Sequence, residues 1–314
     1  MAVTSELLPA ELMARLDRLD VRSRKLLRGG LPGERRSKRR GQSVEFADYR
    51  PYVVGDDLRF IDWNLYARLD RLFLRIFMEE EDLSVTVVID QSMSMRFGEP
   101  SKLLFAARAA AALGYVTLTH QNRLSVLAFD GPGSRAGDPG SIQRLTGLRG
   151  HRDLPRLLEM LEPMAGMGSE IEGEVESVDA AGSLRLIGAT HRTPGILILI
   201  SDMLHKGDAA EGLRYLMHPR WDAMLIHVLS PEELSPSAHG ITGDLRLRDA
   251  EDGMEAEVSV SPGLLKRYQL RLEAFRESVR EGCLNRDMAY LFADSSASVD
   301  RTILDPLRRQ RVLS

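Results

Sequence analysis

Residues 84–94 read SVTVVIDQSMS, and this stretch decides the fold. Val85-Thr86-Val87-Val88-Ile89 is a short, β-branched apolar run, so it reads as a buried strand. Asp90 closes the run at its carboxyl end, the edge where open α/β sheets place ligand sites. Ser92 and Ser94 follow at alternate positions, giving the spacing D-x-S-x-S. One carboxylate and two hydroxyls on a tight loop form a hard oxygen-donor set, of the kind Mg²⁺ or Mn²⁺ takes. The bland alternative is an ordinary strand–helix turn, in which the same residue types cap the next helix.

A second apolar run, Gly195-Ile196-Leu197-Ile198-Leu199-Ile200, also ends in an acid, Asp202, after Ser201. If the two strands are parallel neighbours, Asp90 and Asp202 converge at one edge of a sheet. Around these runs the chain alternates strand and helix. An alanine-rich helix is expected over Lys102–Leu118, then a strand over Leu124–Phe129. After a Gly/Pro/Ser loop, a short strand at Ser141–Leu148 is expected to return antiparallel. Helices follow at 153–161, at 170–187 after Ser169, and at 208–217, with a strand at Ala223–Leu229. Residues 243–260 alternate around Asp252-Gly253, a hairpin signal. Pro262 starts a helix to residue 282, and Met288–Phe292 is the last strand. The expected fold is a doubly wound α/β domain, Rossmann-type with a mostly parallel sheet, over residues 83–295. Residues 296–314 form a C-terminal tail.

Ahead of this domain lies an extension with helical and β character. Leu7, Leu8, Leu12, Leu16, Leu19, Leu26 and Leu27 suggest an amphipathic helix over 5–28, ended by a Gly/Pro break that closes residues 1–33. Residues 34–82 are expected to pack on the main domain. They hold the basic run Arg35–Arg40, of a kind that can bind nucleic acid or an anionic surface, here read in preference as a solvated loop that could face Glu79-Glu80-Glu81-Asp82. They also hold a dense aromatic stretch, in which Tyr49, Tyr52, Phe60, Trp63 and Phe73 are expected to be buried.

Composition narrows the function. The 314 residues are 43% hydrophobic and 28% charged, ordinary for a globular protein. A net charge of −4 gives no drive toward nucleic acid. The single cysteine, Cys283, excludes an intrachain disulfide framework and a multi-cysteine zinc cluster. No apolar stretch has transmembrane length, and Glu6, Glu11 and Asp17 do not fit a basic-then-apolar leader, so a cytoplasmic location is expected. There is no G-x-x-x-x-G-K-[ST], no G-x-S-x-G and no H-E-x-x-H. An aspartyl phosphotransferase also places a nucleophilic Asp after a buried strand, but it normally has a second Asp two positions on, where this chain has Ser92.

At two levels the chain resembles known proteins. The sheet and site pattern is similar to a von Willebrand factor type A domain. More narrowly, it resembles the bacterial domain-of-unknown-function 58 family. The residues that carry this are Glu45-Phe46-Ala47-Asp48-Tyr49-Arg50, Tyr52, Gly55-Asp56-Asp57, Ile61-Asp62-Trp63 and Ala67-Arg68, then a strand leading to D-x-S-x-S, and later Leu199-Ile200-Ser201-Asp202. The resemblance implies a metal-ion-dependent adhesion-type site. In such a site two serines bind the metal directly, the first Asp orients water, and a second loop adds a threonine and a third an Asp. Asp90, Ser92, Ser94 and Asp202 match by position. The second loop reads Gly166-Met167-Gly168-Ser169-Glu170 without a threonine; Ser169 could supply the same hydroxyl, or Glu170 a carboxylate instead.

What the resemblance implies for function is a non-enzymatic adaptor. Its bound Mg²⁺ or Mn²⁺ would accept an acidic side chain from a protein partner, with a MoxR-type AAA+ ATPase as the expected partner in assembly or chaperone-like work. The alternatives are a metal-free structural scaffold with a decayed site and, less favoured, a phosphotransferase-like enzyme.

Overall fold

The computed structural model of the protein describes residues 7–17, 19, 46–77, 83–129, 142–166, 180–191, 193–205, 212–218, 221–249 and 254–305. The chain divides into two units, one of residues 27–82 and one of residues 1–26 with 83–314.

At the amino end, helix α1 (Ala10–Leu16) starts directly after Pro9, whose extended backbone and missing N–H interrupt the helix expected over 5–28. Residues 20–28 lie outside the described residues. The leucine pattern is nonetheless a packing pattern: Leu7, Leu8, Leu16 and Leu19 are all buried in the core of the larger unit.

In the smaller unit, strand β1 (Phe46–Pro51) pairs antiparallel with β2 (Phe73–Phe77), with a bulge between Phe46 and Asp48. Between them runs the short, seven-residue helix α2 (Trp63–Leu69). Asp62 holds this unit together. Its Oδ1 accepts from the N–H groups of Asn64 and Leu65, capping α2, while Oδ2 accepts from Arg75 Nε at 2.8 Å and Tyr49 OH at 3.0 Å. The Arg75 hydrogen bond, with the backbone donors and Tyr49, keeps the Asp62 carboxyl well below the usual carboxylate range. Of the aromatics expected to be buried, Trp63 (62%), Phe60 (46%) and Tyr49 are exposed, while Tyr52 and Phe73 are partly buried. The polar Asp62 is buried beside Ile61 and Leu74.

The larger unit is built on β3 (Ser84–Asp90), β4 (Arg123–Phe129), β5 (Gln143–Arg149), β6 (Gly195–Ser201), β7 (Trp221–Leu229) and β10 (Ala289–Asp294). They form one sheet in the order β10-β7-β6-β3-β4-β5, parallel throughout except for β5, which runs antiparallel to β4 at the edge. A separate hairpin, β8 (Gly243–Arg248) with β9 (Glu255–Val260), occupies the expected position.

Helices cover both sheet faces, which is why the central strands are apolar on both sides. Val85, Val87 and Ile89 of β3 face a core shared with α3 (Lys102–Thr119) and α4 (Leu154–Ala165). Val88 faces the opposite core, shared with α5 (Ala180–Thr190) and the long helix Pro262–Leu284. Strand β6 alternates in step, with Ile196, Ile198 and Ile200 on the first face and Leu197 and Leu199 on the second. Helix α3 is nearly all buried, so its small residues serve packing rather than amphipathicity. At Gly114 a Cβ would lie 2.4 Å from Leu157 Cδ2 of α4, so glycine here lets the two helices pack closely without displacing that side chain. The described part of the helix expected at 170–187 is α5, and that expected at 208–217 ends in a single tight turn, Arg214–Leu216.

Candidate metal centre

Parallel pairing of β3 with β6 sets Ile89 against Ile200, so Asp90 and Ser201 end the two strands side by side. The strand order reverses here: the chain leaves β3 for β4 on one side and later returns to β6 on the other. Such a reversal opens a crevice at the carboxyl ends of the strands, where α/β sheets hold ligands. By alternation, Asp90 shares the face of Val88 and Ser201 that of Leu199, so their side chains meet.

Asp90 is fully buried, and its carboxylate is held at both oxygens. Oδ1 accepts from the Ser92 N–H at 2.9 Å. Oδ2 accepts from the Ser201 hydroxyl at 2.6 Å and faces His205 Nε2 at 2.8 Å. Burial pushes this carboxyl up, but His205 and the three hydrogen bonds outweigh it and hold it below the ordinary value. The Ser92 and Ser94 hydroxyl oxygens lie 3.1 Å apart, both residues being buried. Neighbouring oxygens on an octahedral ion with bonds of ~2.0–2.1 Å are separated by ~3 Å. The two hydroxyls hydrogen-bond to each other at this distance, which is also compatible with adjacent ligand positions on such an ion.

Asp202, also fully buried, continues from Ser201 with the opposite alternation and meets Lys102, the first residue of α3. Lys102 Nζ donates to Asp202 Oδ2 at 2.7 Å and to Glu233 Oε1 at 2.5 Å. Burial pushes the Lys102 ammonium down, yet the two carboxylates more than offset this and hold its pKa above the ordinary value. Glu233 belongs to the one-turn helix Pro231–Leu234 and is fixed by a reciprocal cap: its own N–H donates to Ser230 Oγ, and its Oε2 accepts from the Ser230 N–H. The Asp202 carbonyl accepts from His227 Nε2 at 2.9 Å, which leaves Nδ1 to accept from Tyr290 OH at 2.9 Å. This pairing requires a neutral imidazole, and burial lowers the His227 pKa to about 4.

The turn after β6 is locked by its own hydrogen bonds. Met203 takes a left-handed backbone (φ 56°), its N–H donates to Ser201 Oγ, and the Leu204 N–H donates to Asp202 Oδ1. This turn returns His205 to Asp90. Ligand atoms of Asp90, Asp202 and His205 all lie within 4.8 Å of one another. Of the residues expected from sequence, Asp90 and Asp202 thus come together and Ser92 and Ser94 pair beside Asp90. Ser169 and Glu170 lie outside the described residues. Sequence reasoning missed Ser201, His205, Lys102 and Glu233 as parts of the site. Only Ser201 carried a signal, since strand alternation places it on the face of Asp90.

The fold is a mixed α/β domain with a mostly parallel central sheet and a polar cluster at its switch point. The chain belongs to the family described as "Protein of unknown function DUF58", which matches residues 48–278. It is 27% identical over 272 residues to "Uncharacterized protein Rv1480" of Mycobacterium tuberculosis, covering 86% of this chain and 80% of that protein. Among solved structures it is similar to the conserved hypothetical protein BatB from Bacteroides thetaiotaomicron, at 16% identity and a TM-score of 0.43, covering 73% of this chain and 98% of that one. A further similarity is to the pilus adhesin SpaC from Lactobacillus rhamnosus GG, at 11% identity and a TM-score of 0.37, covering 75% and 30% of the two chains. Among the described residues, no helix is long and apolar enough to cross a membrane.

Proposed function

We propose that this chain is a von Willebrand factor A-like adaptor that binds a protein partner through a divalent cation at the carboxyl edge of β3 and β6. Ser92 and Ser94 would supply neutral oxygens, and Asp90 and Asp202 would supply charge. The bound ion would contribute a positive centre to which an acidic side chain of the partner can bind. The observation that carries this reading is the 3.1 Å separation of the two serine oxygens beside two fully buried carboxylates. Two hydroxyls and two carboxylates fill at most four of the six positions of an octahedral dication, so a carboxylate of the partner could complete the shell. The expected partner is a MoxR-type AAA+ ATPase, an expectation that rests on family resemblance alone.

One observation favours a metal-free scaffold instead. Lys102 already places a buried cation on Asp202. Thermal unfolding separates the two readings. A ligand that binds only the folded state at a hundredfold excess over its dissociation constant stabilises by ~2.7 kcal/mol. Mg²⁺ or Mn²⁺ is expected to raise Tm relative to chelator, and Asp90→Ala to abolish the increment. Superimposable curves with metal and with chelator would leave the scaffold reading. A pull-down of the ATPase with and without chelator then tests the partner, which is expected to be recovered only with metal.

A further inference from the structure

Within the proposed metal site, and resting on that reading, we infer that His205 is a nitrogen ligand. With Asp90 and Asp202 it forms a two-carboxylate, one-imidazole set that selects a first-row transition-metal ion such as Mn²⁺ or Co²⁺ over Mg²⁺. The family pattern of oxygen donors contains no such residue.

Three features of the chain support this. The first is placement. His205 Nε2 is 2.8 Å from Asp90 Oδ2, and one ligand atom from each of Asp90, Asp202 and His205 falls within 4.8 Å of the others. Neighbouring ligands on a six-coordinate ion with bonds of ~2.0–2.1 Å are also ~2.8–3.0 Å apart. The contact is thus as suited to two ligands on one ion as to a hydrogen bond, and the tautomer with its proton on Nδ1 presents the Nε2 lone pair.

The second feature is preorganisation. Both carboxylates are fully buried and the His205 side chain is only 11% exposed. Each acid is oriented by hydrogen-bond donors: Asp90 by the Ser92 N–H and the Ser201 hydroxyl, Asp202 by the Leu204 N–H at Oδ1. Supporting hydrogen bonds of this kind fix metal ligands in place. The left-handed turn at Met203, tied to Ser201, delivers His205 to the cluster, and the ring packs near Phe129 with centroids 6.4 Å apart.

The third feature is the chemistry of the donors. Mg²⁺ takes oxygen ligands and dehydrates reluctantly, whereas affinity for a site that includes imidazole rises along the first-row series from Mn²⁺ through Co²⁺. A buried imidazole between two carboxylates therefore shifts the preference away from Mg²⁺.

Titration of the full chain with Mg²⁺, Mn²⁺ and Co²⁺ tests the inference, read by calorimetry and by the visible absorption of Co²⁺. Wild type is expected to bind Mn²⁺ and Co²⁺ at least tenfold more tightly than Mg²⁺. His205→Ala is expected to weaken Mn²⁺ and Co²⁺ by ~10-fold or more, the range seen even for supporting groups around a metal. The loss for Mg²⁺ should be smaller than that for Mn²⁺ and Co²⁺, and the Co²⁺ bands should shift. Spin-echo envelope modulation of Mn²⁺ on wild type needs no variant and should report a directly bound nitrogen. Equal affinity for Mg²⁺ and Mn²⁺, no effect of His205→Ala, or absent nitrogen modulation would overturn the inference and leave the oxygen-donor site standing. Failure of wild type to bind any of the three ions would remove the inference together with the reading it rests on.

Discussion

Each of the two units holds a set of residues that departs from the usual relation between polarity and burial, in opposite directions. In the smaller unit, the residues that look like a core are on the surface: Trp63, Phe60, Leu58 and Val54 are all exposed. In the larger unit, the residues that look like a surface are in the interior: Asp90, Asp202, Lys102 and His227 are all fully buried. The difference shows that apolar content alone does not locate the interior. Burial of a charge is tolerated when it is paired and hydrogen-bonded, as at Lys102, Asp202 and Glu233. Exposure of an aromatic is cheap by comparison, because much of any folded surface is apolar.

The largest expected effect is at Lys102. Lys102→Met should cost about 3–5 kcal/mol in denaturant unfolding, because it leaves Asp202 and Glu233 buried without their shared cation. A loss below ~1 kcal/mol would mean that these carboxylates do not depend on the ammonium, and the contrast between the units would weaken.

Next in size is a pH effect. In the folded chain the His227 pKa is about 4, against ~6.5 for an unperturbed imidazole. Below pH ~6.5 the unfolded chain therefore takes up the proton first. The contribution to stability is complete above pH ~6.5 and is lost as the pH falls toward 4, amounting to about 3 kcal/mol. Stability measured across this window should fall more steeply in wild type than in His227→Gln. Parallel profiles would show that the imidazole is not held neutral.

A smaller effect is expected at Arg96, a second buried cation in the larger unit. Its Nε has no hydrogen-bond partner among the described residues, and burial lowers its pKa. A buried N–H without a partner is a cost to the fold, so Arg96→Met should leave stability within about 1 kcal/mol of wild type or raise it. A clear loss would reveal a partner for this guanidinium.

The smallest effect is expected at Trp63. With 62% of its surface exposed, Trp63→Ala should change stability by no more than about 0.5 kcal/mol. A cost of several kcal/mol would give this aromatic the role of a core residue and remove the contrast.

Much of the fold was determined by sequence alone. Strands β3 and β6 are uninterrupted β-branched and aliphatic runs, and no helix of that length buries both faces as a central strand does. The hairpin at 243–260, the antiparallel edge strand and the helix from Pro262 were legible for similarly local reasons: a turn dipeptide, a short alternating run and a capped proline start. Asp90, Ser92, Ser94 and Asp202 were legible because their spacing lies within single loops at strand ends. Only tertiary structure decided the rest. His205 is 115 residues from Asp90, Lys102 is 100 from Asp202 and 131 from Glu233, and nothing local marks any of these pairs. Parallel register joins the ends of β3 and β6, the turn at Met203 returns His205, and the first residue of α3 reaches Asp202 across the edge of the sheet. The exposure of Trp63 was likewise not local information, since spacing along a chain describes a face and only the folded chain determines whether that face is covered.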